Sequence, residues 1–253
     1  MTTDLRGRVA LVTGASSGLG ARFVAILAAA GAKVAACARR IDRLQELAAR
    51  VRQSGGTVEP IAMDVEDPAS VVTGFDAAQA ALGPIEIAIA NAGLNAQGAS
   101  TDLSPEELGQ LVRVNIQGAY LTAREAAKRL IASPNPERGR IILLGSVGSQ
   151  KPLAGLTAYS MSKAAVAMMG KGFAREWARN GITVNTICPG WIATELNSEW
   201  LQSEGGQKLV KTFPRRRVMD AEGLDGLVLF LASDASASIT GGVFAADEGQ
   251  VLA

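Results

Sequence analysis

Short apolar runs recur along the chain at fairly even intervals: "VALVT" ahead of Gly14, "VAAC" from Val34, "IEIAIA" ahead of Asn91, "IILLG" ahead of Ser146, and "ITVNTICPG" ending at Gly190. None alternates cleanly between apolar and polar, which is the pattern of strands buried on both faces of a parallel sheet. Between them lie stretches of helical period, Ile41 to Ser54, Ser104 to Ile131 and Tyr159 to Asn180. Strand and helix patterns in alternation predict repeated βαβ units, and hence an α/β fold with a Rossmann-type, doubly wound parallel sheet in three layers.

No repeat, low-complexity tract or linker divides the sequence, so residues 1–253 read as one domain. The segment "SPNPERG", Ser133 to Gly139, ends a helix ahead of the Arg140 strand. Thr194 to Arg217 has no strand pattern, is polar, and carries Gly205 and Gly206. A stretch of that length before the last strand is expected to form a mobile cover over a site.

Composition narrows the function classes. Hydrophobic residues make up 48%, with 28 glycines and only 4% aromatics, which suits a close-packed interior of Ala, Val, Ile and Leu. The 25 Lys and Arg balance 24 Asp and Glu, so no long-range field exists to gather nucleic acid or an acidic membrane surface. The longest apolar stretch, "FVAILAAAGA", is too short to span a bilayer, and the start lacks a secretory pattern; a cytoplasmic protein is the expectation. Cys37 and Cys188 read as isolated, buried, reduced thiols.

"TGASSGLG", Thr13 to Gly20, lies between the first strand and an amphipathic run. Glycines there let backbone N–H groups approach a phosphate, and the helix N-terminus favours its charge. The second strand ends in "ACARR", where a site for NAD would usually present a carboxylate to the adenosine ribose. Arg39 and Arg40 stand there instead. Two arginines at a helix start oppose its dipole unless an anion such as a 2'-phosphate sits between them, so NADP(H) is the preferred cofactor and NAD(H) the second choice.

The sequence contains no histidine, yet Tyr159 and Lys163 are four apart on one helix, with Ser146 thirteen positions before the tyrosine at the end of a buried strand. Spacing of four puts both side chains on one face, and strand carboxyl ends are where open α/β sheets bind ligands. Taken singly, Ser146 also suits a strand-end turn, Asn115 a helix kink or cap, Tyr159 an interior aromatic and Lys163 a surface charge. Tyr120 is expected to pack on a helix; Met161, Met168 and Met169 read as core or interface filling; Trp191 and Trp200 either face substrate or pack on helices.

In order along the chain, "TGASSGLG", "MDV" at Met63 to Val65, "NAG" at Asn91 to Gly93, "VNIQG" around Asn115, Ser146, "YSMSK" and "PG" at Pro189 and Gly190 resemble the single-domain branch of the short-chain dehydrogenase/reductase family. The resemblance runs from about Gly7 to Gly249. It implies a catalytic set of Asn115, Ser146, Tyr159 and Lys163. It also implies a cofactor site of Gly14, Ser16, Ser17, Gly18, Leu19, Gly20, Arg39, Arg40, Asp64, Val65, Asn91, Ala92, Gly93, Tyr159, Lys163, Pro189, Gly190, Ile192 and Thr194. No metal site is implied. The ending departs from the Asp-Gly-Gly of relatives, with Glu248 in the first of those glycine places.

The chemistry implied by the resemblance is transfer of hydride between a nicotinamide and a ketone or secondary alcohol, with Tyr159 as general acid and base, Ser146 holding the substrate oxygen, and Asn115 holding a water beside Lys163. Bringing a tyrosine pKa from about 10 to about 7 needs roughly 4 kcal/mol of phenolate stabilisation, of which Lys163 is expected to supply much. Relatives of this kind imply a homotetramer or homodimer built on the two long helices. A 3-oxoacyl carrier-protein reductase is a narrower version, with Lys128, Arg129 and Arg175 as a basic patch for an acidic carrier. A cofactor-sensing protein without turnover is the rival from another class, disfavoured because it has no need of the full Asn, Ser, Tyr and Lys set. Enoyl reduction is disfavoured because its lysine stands further from the tyrosine. Small apolar residues such as Val147, Leu153, Ala154 and Leu196 hint at a hydrophobic carbonyl substrate.

Overall fold

The computed structural model describes residues 3–193 and 198–253. Seven strands form one all-parallel sheet in the order β3-β2-β1-β4-β5-β6-β7. They are β1 Val9–Thr13, β2 Lys33–Ala38, β3 Thr57–Ala62, β4 Ile87–Ala90, β5 Arg140–Leu144, β6 Thr183–Pro189 and β7 Val243–Ala246. The central strands β1, β4, β5 and β6 are buried at every position, as unbroken apolar runs require. The edge strands are less buried. β3 carries Glu59 and Pro60, a residue without a donor that an edge tolerates.

The helices, in chain order, are α1 Gly18–Ala29, α2 Ile41–Gln53, α3 Pro68–Leu82, α4 Pro105–Leu111, α5 Ala119–Ile131, α6 Thr157–Trp177, α7 Ser198–Gln202, α8 Glu204–Thr212 and α9 Asp225–Ala232. One apolar layer places α1, α2 and α9 on a face of the sheet; the other places α3, α5 and α6 on the opposite face. In α2 the buried positions are Leu44, Leu47, Ala48 and Val51, the stripe that an amphipathic helix presents. The order reverses direction between β1 and β4, so the crevice at their carboxyl ends is the switch point of the sheet.

One expectation is corrected. The helical stretch Ser104 to Ile131 is not one α-helix: Val112–Gly118 is a π-helical segment between α4 and α5, and it carries Asn115. The stretch expected as a cover contains two short helices, α7 and α8, with their own small apolar cluster of Leu201, Val210 and Phe213. Its first residues, Thr194 to Asn197, lie outside the described residues. Cys37 and Cys188 are free and buried. Among the described residues no helix is long and apolar enough to cross a membrane, and no group of side chains could hold a metal ion.

Candidate active site

A cleft of about 560 Å³ opens at the carboxyl ends of the strands. Its walls bring together almost every residue expected from the sequence: Gly14 and the 16–20 loop after β1, Arg39 and Arg40 after β2, Asp64 and Val65 after β3, the 91–93 segment after β4, Ser146 after β5, Tyr159 and Lys163 on α6, and Pro189, Gly190 and Ile192 after β6. Asn115 stands behind the wall, 1% exposed. Thr194 and Leu196 lie outside the described residues.

The glycine loop fits a dinucleotide phosphate. Ser17 precedes α1 without a side-chain cap, and the first turn carries no acidic residue, so the helix N-terminus faces the cleft with free backbone donors. The loop is drawn tightly onto the strands. A Cβ on Gly20 would lie 2.3 Å from the Gly14 carbonyl oxygen, and one on Gly14, at φ +66, 2.7 Å from the Ala92 Cα. Asn91 secures the same junction, its Nδ2 donating to the Thr13 carbonyl at 2.9 Å while the Thr13 hydroxyl accepts from the Asn91 and Ala92 amides at 3.1 and 3.2 Å. Thr13 is a support that sequence reasoning missed, since a strand-end threonine carries no signal of its own.

The two arginines differ. Arg39 lies near Glu66 and Asp64, with N···O separations of 3.5 and 3.9 Å. Arg40 turns to the glycine loop, where its guanidinium donates to the Ser16 hydroxyl at 2.9 Å and the Ser17 hydroxyl at 2.9 Å. Only neutral acceptors hold Arg40 in these contacts.

Around the catalytic set the supports are equally specific. The Ser146 hydroxyl accepts from the Gly148 amide at 3.1 Å, and Ser149 ties the Ser146 amide to the Lys163 carbonyl. Asn115 accepts from the Leu94 amide at 2.8 Å and donates to the Leu94 carbonyl and to Ser162, each at 3.0 Å. Ser162 in turn donates to the Tyr159 carbonyl at 2.7 Å. The π-helical turn thus points Asn115 inward between the β4 loop and α6, as π-bulges often do at functional sites. Ser149 and Ser162 are further positioning residues; a lone serine in sequence gives no hint of this.

Lys163 is 6% exposed and its Nζ donates to the Leu144 carbonyl at 2.8 Å. Burial brings its pKa down to about 8. Nζ lies 5.8 Å from the centre of the Tyr159 ring. Burial pushes the Tyr159 hydroxyl above the usual tyrosine value, and the hydrogen bond with Ser146 opposes that. The chain alone therefore keeps Tyr159 protonated at neutral pH, and the downward shift expected from Lys163 is absent within it.

The remaining lining includes residues that the sequence reading did not single out: Glu66, Leu94, Asn95, Gln97, Val114 and Leu156. Trp191 and Trp200 each line the cleft, their rings stack with centroids 5.2 Å apart, and both pack on the apolar cluster of Leu201, Val210 and Phe213. Glu248 has φ 53, the left-handed conformation that a glycine would adopt freely, and its carboxylate accepts from Arg215 and Arg217 at 3.1 and 3.0 Å.

A parallel sheet of this order, a glycine loop at its switch point and a Ser-Tyr-Lys set on the adjoining wall define a dinucleotide-dependent oxidoreductase. The family model for short chain dehydrogenases matches residues 8–205, and the chain belongs to the short-chain dehydrogenase/reductase family, enzymes that act on CH–OH groups. It is 33% identical to D-threitol dehydrogenase of Mycolicibacterium smegmatis over 98% of this chain and 94% of that protein. It is 35% identical to acetoacetyl-CoA reductase of Rhizobium meliloti, over 97% and 99%. Among solved structures, a gluconate 5-dehydrogenase from Burkholderia cenocepacia, in complex with NADP and tartrate, superposes with a TM-score of 0.94 at 33% identity, covering 100% of this chain and 98% of that one.

Proposed function

We propose that residues 1–253 form one NADP(H)-dependent catalytic domain that interconverts a ketone and a secondary alcohol. The observation that carries this reading is the meeting of Ser146, Tyr159 and Lys163 in one cleft with the glycine loop and Arg40. When bound, NADPH would supply hydride to the carbonyl carbon and leave oxidised, while the proton for the oxygen comes from Tyr159. Ser146 hydrogen-bonds that oxygen and holds it where negative charge develops. Tyr159, kept protonated by its surroundings, is ready to donate in the reductive direction. Lys163, with its ammonium held on the Leu144 carbonyl, would lend its charge to the phenolate only in the complex with cofactor, since the chain alone shows no such shift. Asn115 fixes the Leu94 backbone and, through Ser162, the start of α6, so that the tyrosine keeps its aim.

Gly14, Ser16, Ser17, Gly18, Leu19 and Gly20 would cradle the phosphates, Asp64 and Val65 flank the adenine, Asn91, Ala92 and Gly93 pass the ribose, and Pro189, Gly190 and Ile192 border the nicotinamide. Arg40 would take the 2'-phosphate, since Arg39 already faces two carboxylates. NAD(H) is the weaker partner. The carrier-protein version loses support because Arg129 is engaged by Glu125 and Asp76, each at 2.8 Å, and Lys128 by Glu125 at 3.5 Å. Exposed Tyr120, Ile131, Met161 and Met168 on α5 and α6 favour self-association into a dimer or tetramer through those helices.

The test is consumption of NADPH against a panel of ketones, with Tyr159→Phe alongside. The variant should bind NADPH as the parent does and lose ~10²–10⁴-fold in turnover. A variant that turns over at the parental rate refutes the role of Tyr159.

A further inference from the structure

We propose that the substrate is an uncharged ketone, or the matching alcohol, that carries a flat apolar ring, seated against the stacked Trp191 and Trp200. This rests on the proposed reaction, in which the reacting oxygen sits at Ser146 and Tyr159, and it names the substrate class of that site.

The sheet order separates the two ends of the cleft. Arg39 and Arg40 follow β2, whereas Ser146 follows β5, three strands away along the order β2-β1-β4-β5. At a strand spacing of about 4.8 Å, those ends are about 14 Å apart, beyond the reach of an arginine side chain toward a substrate at Ser146. Asp64 and Glu66, after β3, are one strand further still.

The loops after β4, β5 and β6 therefore surround the substrate, and their lining is apolar: Leu94, Val147, Leu153, Leu156, Trp191 and Trp200. Asn95 and Gln97 add neutral hydrogen-bonding groups. Among the described lining residues, the one cation at this end is Lys163, whose ammonium is buried against the Leu144 carbonyl. A carboxylate or phosphate on the substrate would have to shed its water with no free cation to receive it, a loss that such a wall cannot offset. A sugar acid is a poor match on that ground. The relatives named for gluconate, threitol or acetoacetyl-CoA are 32–35% identical to this chain, and the pocket loops are where members of one fold diverge.

The tryptophans supply the positive selection. Their rings are inclined by 27°, close to parallel, and both remain partly exposed on the cleft wall. Such a surface gains most from a planar apolar partner in offset stacking.

Two measurements on the full-length protein test the proposal. In the first, acetophenone, 2-butanone and 5-ketogluconate are titrated by calorimetry onto protein saturated with NADP⁺, where no turnover occurs. Acetophenone should bind saturably and at least ~10-fold tighter than 2-butanone, with 5-ketogluconate not binding. In the second, kcat/KM with NADPH is compared for acetophenone and 2-butanone in the parent, Trp200→Ala and Trp200→Phe. The alanine variant should lower the acetophenone to butanone ratio ~10-fold, and phenylalanine should restore most of the ratio. Tighter binding of the keto-acid, no saturable binding of acetophenone, or an equal loss for both ketones in Trp200→Ala overturns the proposal. If acetophenone binds as expected but no ketone is reduced, or Tyr159→Phe stays active, the redox reading fails while the assignment of the apolar ring site stands.

Discussion

Lys163 directs its ammonium to the Leu144 carbonyl, 2.8 Å away, and not to the hydroxyl of Tyr159 four residues before it. The bond fixes a charge in a nearly dry place. The cost shows in the lysine pKa, about 8 in the fold against 10.5 ordinarily. Between those values the unfolded chain binds more protons than the folded one, so this group makes stability rise with pH from about 8 to about 10.5, and weighs fully against folding below pH 8. Lys163→Met should therefore unfold in urea with more stability than the parent at pH 7, by on the order of 1–3 kcal/mol, and the gap should shrink by pH 9.5 while activity is lost at both. A less stable variant at pH 7 would mean that the bond to Leu144 outweighs burial.

The unequal surroundings of Arg39 and Arg40 lead to a separation of their effects. Arg40→Ala should lower the preference for NADPH over NADH by ~10–100-fold, the loss of one or two charge-assisted bonds. Arg39→Ala should change it by less than ~5-fold, because that guanidinium lies beside Glu66 and Asp64. Kinetics with both cofactors and one ketone decide the matter; the reverse ranking would assign the 2'-phosphate to Arg39.

Asn115 satisfies both backbone groups of Leu94. Asn115→Ala leaves these part-buried groups without that partner beside a gap, and should cost about 1–3 kcal/mol in urea unfolding. In the same variant KM for the ketone should rise, since Leu94 lines the cleft. An unchanged KM in a destabilised variant would confine Asn115 to holding the fold.

Glu248 pairs a left-handed backbone with two arginine contacts. Glu248→Ala keeps the strain and loses the pairing, so it should melt lowest of the three forms. Glu248→Gly loses the pairing but relaxes the backbone, and should exceed the alanine variant by about 1 kcal/mol. Both should make the 198–217 segment easier to cleave by trypsin at Lys208 or Lys211, because Arg215 and Arg217 no longer tie its end to the C-terminal turn. Equal cleavage in all three would leave Glu248 a local feature of that turn.

The sequence by itself determined the alternation of strands and helices, because burial on two faces leaves unbroken apolar runs and burial on one helical face leaves a period near 3.6. It also carried the glycine loop, the Tyr-Lys pair and the strand-end serine, each a signal within a few residues. The edge strands β3 and β7 were harder to see: Glu59 and Pro60 interrupt the apolar run of the first, and the second is only four residues long. The π-turn at Asn115 was invisible for a different reason, as its extra residue per turn is stabilised by Leu94 and Ser162 from other elements.

Only the tertiary structure decided which arginine faces carboxylates, where the lysine ammonium points, how Glu248 is held and that Trp191 and Trp200 form one wall. Each of these depends on a distance between residues that no local period brings together, set by sheet order and helix packing. Local periodicity records which side of an element is buried; it does not record what lies across the gap.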